Sequence, residues 1–347
     1  MTIQRIGFAC KWAEINKKGL IESTEGLNTG GTTHAWTKRV SRDTAEQKVI
    51  EVAKRNIMNT HALIKKVAQL PHELRMLRVT SDMLSFYTMP EWHDFWFTSE
   101  MQTNLARWFA PLGETARNND VRLSFHPDQF VVLASDRPEV VNKSIEEFEY
   151  HASMANWMGY GKRFQDFKIN VHISGRQGPE GIRKAYTRLS PEARNCITIE
   201  NEEISHGLMD CLSISDLVPI VLDIHHHWVR EGEYLNVNDD RVKRVIESWR
   251  GVRPTMHYSV SREDILVGHP TDKLPDRDAL ILAGHNKQKL RAHSDFFWNN
   301  AVNEWALTFN KHFDIMCESK GKNLASFKLY EGSKNVKTDK ELICEEA

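Results

Sequence analysis

Six short apolar segments follow one another along the chain, and each ends on a histidine, an aspartate or a glutamate. In chain order these terminal residues are His126, His172, Glu200, Asp223, His257 and Glu318. A charged group inside an apolar segment is costly unless it is paired or bound to a cation, so six such groups favour a metal site. Imidazole and carboxylate ligands without thiolate suit Zn²⁺ or Mn²⁺.

The number of candidate ligands indicates more than one ion. Three carboxylates and at least four histidines exceed the ligands that one tetrahedral ion accepts. The sequence therefore predicts two or three divalent ions, with a glutamate bridging between them. Such a site suits the hydrolysis of phosphate esters, because one ion activates water near neutral pH while another stabilises the departing oxygen.

The stretch "VLDIHHHW", residues 221–228, places three histidines directly behind a candidate ligand. His225 and His227 would share one face with Asp223 if a strand continued through them, whereas His226 would not. The residue types alone leave open which of the three belongs to the site.

The secondary-structure elements that must position these residues are predicted to be strands alternating with helices. Runs rich in apolar and β-branched residues predict eight strands, at residues 5–10, 74–81, 121–126, 167–174, 196–202, 220–225, 253–259 and 313–319. Helical periodicity predicts helices over residues 41–70, from Pro138 onwards and over 294–310. Eight such units predict a single (β/α)₈ TIM barrel, in which the carboxyl ends of the strands converge on one mouth.

Two connections are too long for ordinary strand-to-helix loops. They cover residues 11–40 after the first strand and 260–292 after the seventh, and both would lie on the C-terminal face of the barrel. Long loops on that face favour a substrate larger than a metabolite. We expect one domain over residues 1–330 and a polar C-terminal tail over residues 331–347.

The composition limits which binding partners and which cellular compartment we expect. The formal net charge is −1, so no global basic field points to nucleic acid, and DNA would have to bind a local surface. Five cysteines with no CxxC pair argue against a disulfide framework and against a thiolate zinc site. No secretory signal and no apolar run of membrane-spanning length are apparent, so we expect a cytoplasmic, non-membrane protein, taken as a monomer.

Seven motifs in order resemble the UV damage endonuclease family, which is related to the endonuclease IV class of abasic-site nucleases. They are "SFHPDQFVVLAS", "NVHISG", "IENEE", "LDIHHHW", "HYS", "AHSDF" and "ESKGK", and the match runs from about residue 5 to residue 328. The resemblance implies a TIM barrel that holds three metal ions, commonly Mn²⁺, with Zn²⁺ or Mg²⁺ as alternatives. It also implies incision of damaged double-stranded DNA immediately 5′ of a photolesion or other distortion, leaving a 3′-hydroxyl.

The resemblance also implies roles for individual residues. The implied metal ligands are His126, His172, Glu200, Asp223, His226, His257, His293 and Glu318. The family motif Asp-x-x-His selects His226 from the histidine run, so the strand must break at about residue 225, and His225 and His227 become supporting or groove-facing groups. Glu200 and Lys320 are the implied catalytic residues, with Lys320 near the phosphate. Gln129, Phe130 and Phe8 are the implied lesion contacts.

The chain departs from the family pattern at several positions. Tyrosine is usual where this chain has Phe8 and Phe130, histidine is usual at Met89, and a lysine, carboxylated in some members, is usual at Thr255. His93, four residues after Met89, is a possible substitute ligand.

Two alternatives stay open. Glu200, Asp223, His257 and Glu318 alone would fit a sugar isomerase or epimerase of the xylose isomerase-like barrels. The changes at Met89 and Thr255 would fit a non-catalytic sensor of DNA lesions.

Overall fold

Eight parallel strands close into a barrel in the computed structural model, which describes residues 3–345 and side-chain contacts through residue 334. Around the barrel the strands follow one another in the order of the sequence, and the last strand pairs with the first. The strands are β1 (Ile6–Ala9), β4 (Met76–Arg78), β5 (Arg122–Phe125), β6 (Lys168–His172), β7 (Ile197–Glu200), β8 (Ile220–Asp223), β9 (Thr255–Tyr258) and β10 (Asp314–Cys317). The predicted TIM barrel is confirmed.

The strands form because short apolar and β-branched runs can be buried on both faces of a parallel sheet. β1, β7, β8, β9 and β10 are buried along their whole length. Every barrel strand lies within its predicted segment. The predicted break after the sixth barrel strand is present and falls slightly earlier, since β8 ends at Asp223 and a helix begins at Ile224.

Helices surround the barrel and fill the connections. They are α1 (His34–Thr37), α2 (Arg42–Ala68), α3 (His93–Trp96), α4 (Ser99–Asn118), α5 (Pro138–Trp157), α6 (Gly178–Tyr186), α7 (Pro191–Cys196), α8 (Leu208–Leu212), α9 (Ile224–Glu231), α10 (Asp240–Ser248), α11 (Arg277–Leu282), α12 (Lys287–Leu290), α13 (Asn300–Leu307) and α14 (Lys322–Glu345). The predictions for α2 and α5 are confirmed, and Ser41 caps α2 by accepting a hydrogen bond from the amide of Thr44. The helix predicted over 294–310 begins only at Asn300, because Asn299 is its N-cap.

Both long insertions follow the carboxyl ends of their strands. The first contains the hairpin β2 (Ala13–Ile15) and β3 (Ile21–Ser23) together with α1. The second contains α11 and α12 and returns to the barrel through an antiparallel bridge between Ser261 and His293. That bridge brings His293 back beside the end of β9.

The C-terminal helix continues through most of the range expected to be a tail, and residues 346–347 lie outside the described part of the chain. Among the described residues, no helix is both long and apolar enough to cross a membrane.

Candidate metal centre

Glu200 lies at the middle of a cluster of ligand-type side chains in the barrel mouth. It is the last residue of β7 and is completely buried. Its Oε2 atom lies 3.0 Å from Nδ1 of His257, 3.3 Å from Nε2 of His126 and 3.9 Å from Nε2 of His172. In-register pairing of β6 with β7 sets His172 beside Glu200, which is why the two side chains meet.

Two further carboxylates flank Glu200. Asp223 ends β8, is completely buried and pairs in register with His257 of β9. Glu318 directly follows β10, with Oε1 3.3 Å from Nδ1 of His257, and it forms an ion pair with Arg78 of β4. Carboxylates of three strands therefore converge on one imidazole.

These side chains form three overlapping groups with metal-ligand spacing. They are His126 with His257 and Glu318, His126 with His172 and Glu200, and Glu200 with Asp223 and His257. Within each group the candidate ligand atoms lie within 4.8 Å of one another. Since Glu200, His257 and His126 each belong to two groups, the arrangement fits neighbouring ions that lie close together.

Unpartnered atoms support the same interpretation. Oε1 of Glu200, Oδ2 of Asp223 and Nδ1 of His257 are buried without a hydrogen bond of suitable geometry. A buried polar atom left in this state costs about 1–3 kcal/mol, and a charged one costs more. The donor set of imidazole nitrogen and carboxylate oxygen matches the preferences of Mn²⁺ or Zn²⁺, so the residues fit a metal centre.

The carboxylates have opposite electrostatic states. Burial opposes ionisation of Glu200, yet His257 and His172 hold its pKa well below the ordinary value. For Glu318 burial also opposes ionisation, and Arg78 together with His257 holds its pKa well below the ordinary value. Burial, reinforced by the charges of Glu200 and Glu318, raises the pKa of Asp223 well above its ordinary value, although His226 opposes the rise. Cations in the mouth would let all three ionise together.

The histidine run is divided by the start of α9. Asp223 is the N-cap of that helix, and its Oδ1 accepts a hydrogen bond of 2.7 Å from the amide of His226. Nδ1 of His226 lies 3.6 Å from Oε1 of Glu200 and 3.7 Å from Oδ2 of Asp223. His226 therefore faces the cluster from its edge.

The other two histidines of the run are buried, and of these His225 approaches a proposed ligand, with its ring centroid 6.2 Å from that of His293. The ring of His225 stacks on Trp228 with centroids 5.7 Å apart, and Nε2 of His227 lies 3.3 Å from Glu233. Both are at most 5% exposed, so they support the fold around the site and do not face a groove.

His293 approaches the cluster from the second insertion. Its Nδ1 lies 3.9 Å from Oε2 of Glu318, and its ring is half-buried. Strand periodicity could not locate His293, because this residue lies outside the barrel strands and is held near the cluster by its bridge to Ser261.

A sequence model described as UV-endonuclease UvdE matches residues 4–345. The chain belongs to this family. The UV DNA damage endonuclease of Bacillus cereus (strain B4264) is 24% identical over 308 residues, which cover 84% of this chain and 85% of that relative. The UV DNA damage endonuclease of Bacillus mycoides (strain KBAB4) is 25% identical over 312 residues, with coverage of 85% and 86%. The crystal structure of SacUVDE matches with a TM-score of 0.71 at 24% identity, covering 96% of this chain and 99% of that one, which supports the fold.

Two of the three residues expected to contact a lesion lie at the surface of this UvdE-family chain. Gln129 and Phe130 are exposed in the loop after β5, and Phe130 is 78% exposed. The expectation for Phe8 needs correction, since Phe8 is 0% exposed within β1. Its ring packs edge-on against Trp12 and Phe327, with centroids 5.8 and 6.4 Å away, so it has no free face for a base.

The residues that depart from the family pattern lie in different environments. Met89 is partly buried against the hydrophobic core. His93 does not replace the missing histidine, since its Nε2 lies 3.1 Å from Oε1 of Glu146. Thr255 is completely buried in β9, and its hydroxyl makes no hydrogen bond within the described part of the chain. Lys320 is exposed near the mouth, with Nζ 3.8 Å from Oδ1 of Asp295.

Sequence reasoning missed a polar layer directly beneath the cluster. Nζ of Lys168 lies 3.0 Å from Nε2 of His257, and Asn170 donates a hydrogen bond to Oε2 of Glu200. Thr198 in turn donates to Asn170, over 2.8 Å. Burial lowers the pKa of Lys168 to about 7. Alternation along β6 could have revealed this layer, because Lys168, Asn170 and the candidate ligand His172 share one face.

Glu203 is a second residue that sequence reasoning missed. It is 5% exposed, forms an ion pair of 2.6 Å with Arg291 and lies 3.7 Å from Nε2 of His226. Arg291 belongs to the second insertion, so Glu203 connects that insertion to the edge of the cluster. The only sequence signal was its position in "IENEE".

Proposed function

We propose that this protein is a metal-dependent DNA repair endonuclease, a hydrolase that nicks damaged duplex DNA on the 5′ side of UV photolesions or other distortions. The observation that carries the proposal is the cluster around Glu200, where the completely buried Glu200 and Asp223 and the partly buried Glu318 converge with histidines at the open end of the barrel. Membership of the UV-endonuclease UvdE family supports DNA as the substrate, because relatives are named UV DNA damage endonucleases.

The residues proposed to hold the ions are His126, His172, Glu200, Asp223, His226, His257, His293 and Glu318. Glu200 is the proposed bridging ligand, since among the carboxylates of the three groups it alone belongs to two, and a carboxylate has two oxygens to share between ions. Two or three ions are proposed, with Mn²⁺ favoured over Zn²⁺ or Mg²⁺ because nitrogen and oxygen ligands are mixed. When bound, such ions activate water and neutralise charge on the phosphodiester.

The proposed reaction leaves the phosphate on the 5′ end of the strand that carries the lesion. The water oxygen forms a bond to phosphorus, the bond between phosphorus and the 3′-oxygen breaks, and that oxygen takes a proton to leave a 3′-hydroxyl. Although burial opposes its ionisation, neighbouring histidines hold the pKa of Glu200 low, which supports its proposed role as an ionised ligand. Lys320 is proposed to place a positive charge beside the phosphate, which is supported by its exposed ammonium on the loop two residues after Glu318.

Gln129 and Phe130 are proposed to probe the helix at a weakly stacked site. Stacking needs only a ring face, so phenylalanine serves at position 130, and unstacking is least costly at a damaged base. A net charge near zero implies local phosphate contacts, whose affinity falls with salt. DNA affinity that stays flat from low to high salt would contradict this substrate.

The sugar isomerase alternative explains the carboxylates and His257 but leaves His126 and His172 without a role. Both contact Glu200 directly, so the larger cluster favours the nuclease. A cytoplasmic location and a monomeric state stay predictions.

Incision of end-labelled duplexes is the decisive test. Substrates carrying a cyclobutane dimer, a 6-4 photoproduct, an abasic site or no lesion are incubated with Mn²⁺, Mg²⁺ or EDTA. We expect Mn²⁺-dependent nicks immediately 5′ of the lesion, with 3′-hydroxyl ends, and no nicks in EDTA. Lesion binding without a nick under any condition would favour the sensor instead.

A further inference from the structure

A cavity of about 410 Å³ opens at the base of the barrel, the end opposite the candidate metal centre. Its walls include segments that lead into the barrel strands, so it lies where the amino ends of the strands meet. Five arginines line it, namely Arg5, Arg117, Arg122, Arg163 and Arg253. Guanidinium groups are not deprotonated in proteins, so this concentration of positive charge does not depend on a titration.

Three of the arginines are held by carboxylates. Asp314 is completely buried and lies 2.6 Å from both Arg122 and Arg253. Arg5 lies 3.6 Å from Asp314 and 2.6 Å from Asp120. These contacts fix one part of the wall, so the three arginines have a structural role there.

The other two arginines have no carboxylate partner among the described residues. Arg117 donates a hydrogen bond of 2.7 Å to the carbonyl of Met158, and its guanidinium lies 4.9 Å from the centre of the Tyr160 ring. The side chain of Arg163 is exposed and makes no hydrogen bond or ion pair within the described part of the chain. Asp166 also lines the cavity, but its carboxylate accepts hydrogen bonds from backbone amides.

The walls of the cavity therefore carry surplus positive charge. Five guanidinium groups face three carboxylates, those of Asp120, Asp166 and Asp314, which leaves two positive charges without a counterpart. Lys168 also borders the cavity, but its amine is turned toward His257 and is left out of this count. The surplus is local, since the formal net charge of the whole chain is −1.

The size and the charge of the cavity together indicate a class of ligand. A volume of about 410 Å³ lies in the range of small-molecule sites and is too small for a DNA duplex. Arginine presents paired N–H donors whose spacing matches two oxygens of a phosphate group. Two uncompensated guanidinium groups suit an anion that carries at least two negative charges.

We propose that the base of the barrel binds a phosphoanhydride anion, either pyrophosphate or the phosphate chain of a nucleoside triphosphate, with Arg117 and Arg163 as its main ligands. The shared chemistry is a chain of phosphate groups. The site lies at the other end of the barrel from the proposed metal centre and does not depend on it.

Binding is measured by titration calorimetry of the full chain with pyrophosphate, ATP and adenosine. The protein is first stripped with EDTA and dialysed into metal-free buffer, so that no anion binds through a divalent ion in the mouth. We expect pyrophosphate and ATP to bind once per chain and adenosine not to bind. Tighter binding of ATP than of pyrophosphate would identify the ligand as a nucleotide, and equal affinities would identify it as the phosphate chain alone.

Two substitutions at the rim test the assignment without removing a partner of Asp314. Arg117→Met and Arg163→Met should each weaken pyrophosphate binding about 10-fold, as expected for one lost hydrogen bond to a charged group. Arg39→Met, which removes an exposed arginine outside the cavity, and Lys320→Met, which removes an exposed cation near the mouth, should both bind like the wild type. Weakening by Lys320→Met alone would place the anion in the mouth and overturn the proposal.

A measurement on the wild type protects the test against variants that fail to fold. Phenylglyoxal modifies exposed guanidinium groups, and mass spectrometry locates the modified residues. Pyrophosphate should protect Arg163 and leave Arg39 unprotected. Wild-type protein that binds neither pyrophosphate nor ATP would overturn the site, as would equal modification of Arg163 with and without pyrophosphate. Incision of DNA is assayed separately, so failure of this site would leave the proposed function intact.

Discussion

The two ends of β10 bury carboxylates in opposite ways. At the start of the strand, Asp314 is completely buried and lies 2.6 Å from Arg122, 2.6 Å from Arg253 and 3.6 Å from Arg5. At the end, Glu318 has Arg78 as its guanidinium partner, and the nearby Glu200 and Asp223 each keep an oxygen without a hydrogen bond. The base of the barrel neutralises its carboxylate with its own side chains, whereas the mouth leaves its carboxylates short of positive charge. The deficit marks the end where chemistry is expected.

The largest effect should come from removing a charge at the mouth. Glu200→Gln is expected to lower the incision rate about 10³-fold or more, because the site loses several kcal/mol of transition-state stabilisation. Although burial opposes its ionisation, histidines hold the pKa of Glu200 low, so its ionised form stabilises the fold. The apo-protein of this variant should therefore lose some unfolding free energy, but less than a variant of Asp314, which has three guanidinium partners. Single-turnover incision and urea denaturation in EDTA measure the two quantities, and a strongly destabilised apo-protein would break the comparison.

The same chemical change at the base should do the reverse. Asp314→Asn leaves Arg5, Arg122 and Arg253 without their shared anion and is expected to cost about 3–5 kcal/mol of unfolding free energy. Incision by the folded fraction, assayed at low temperature, should stay at the wild-type rate. Loss of incision with intact stability would mean that the base takes part in the chemistry.

Metal ions should sharpen the contrast. At a free Mn²⁺ concentration 100-fold above Kd, binding is expected to raise the unfolding free energy by about 2.7 kcal/mol in the wild type. Asp314→Asn should gain as much, while Glu200→Gln should gain much less. Melting curves in Mn²⁺ and in EDTA provide the measurement, and equal gains in all three proteins would remove Glu200 from the centre.

His151 illustrates a third way to bury a titratable group, which is to keep it neutral. Burial lowers its pKa to about 4, despite a hydrogen bond of 2.7 Å from Nδ1 to the carbonyl of Glu147. Since the unfolded chain takes up this proton near pH 6.5 and the folded chain does not, stability falls as the pH drops from about 6.5 toward 4.

Replacing His151 should remove its part of that pH dependence. Between pH 6.5 and pH 5 the loss amounts to about 1.5 kcal/mol, because at pH 6.5 the unfolded histidine is already half protonated and the full 1.36 kcal/mol per pH unit applies only below that. His151→Leu should show a shallower decline than the wild type in urea denaturation at the two pH values. Parallel declines would place the effect on other groups.

The strands and most of the cluster could be predicted because both depend on local sequence. A short apolar run ending on a ligand-type residue is visible in one segment, and barrel closure then brings the ends together. The contact of Lys168 with His257 joins residues 89 positions apart, so no local pattern contains it. Phe8 was placed by resemblance at the lesion, but its ring points outward from β1 and packs on Phe327 of the C-terminal helix.

Local sequence patterns also gave a wrong element boundary where the chain has no regular secondary structure. Phe296 and Phe297 extended the apparent helical periodicity toward residue 294, although they pack on the core before α13 begins. Met89 and Thr255 show a different limit. The sequence revealed that family-typical side chains are missing there, and only the structure showed that an amine from another strand reaches His257.

Asp223 ends β8, caps α9 and keeps one oxygen turned to the cluster. Asparagine could cap the helix but would bring no negative charge, and glutamate would bring the charge on a side chain too long to be a good cap. Position 223 therefore has almost no substitution tolerance. In a library of variants selected for incision, it should accept fewer amino acids than Glu200 or Glu318, which carry no capping duty.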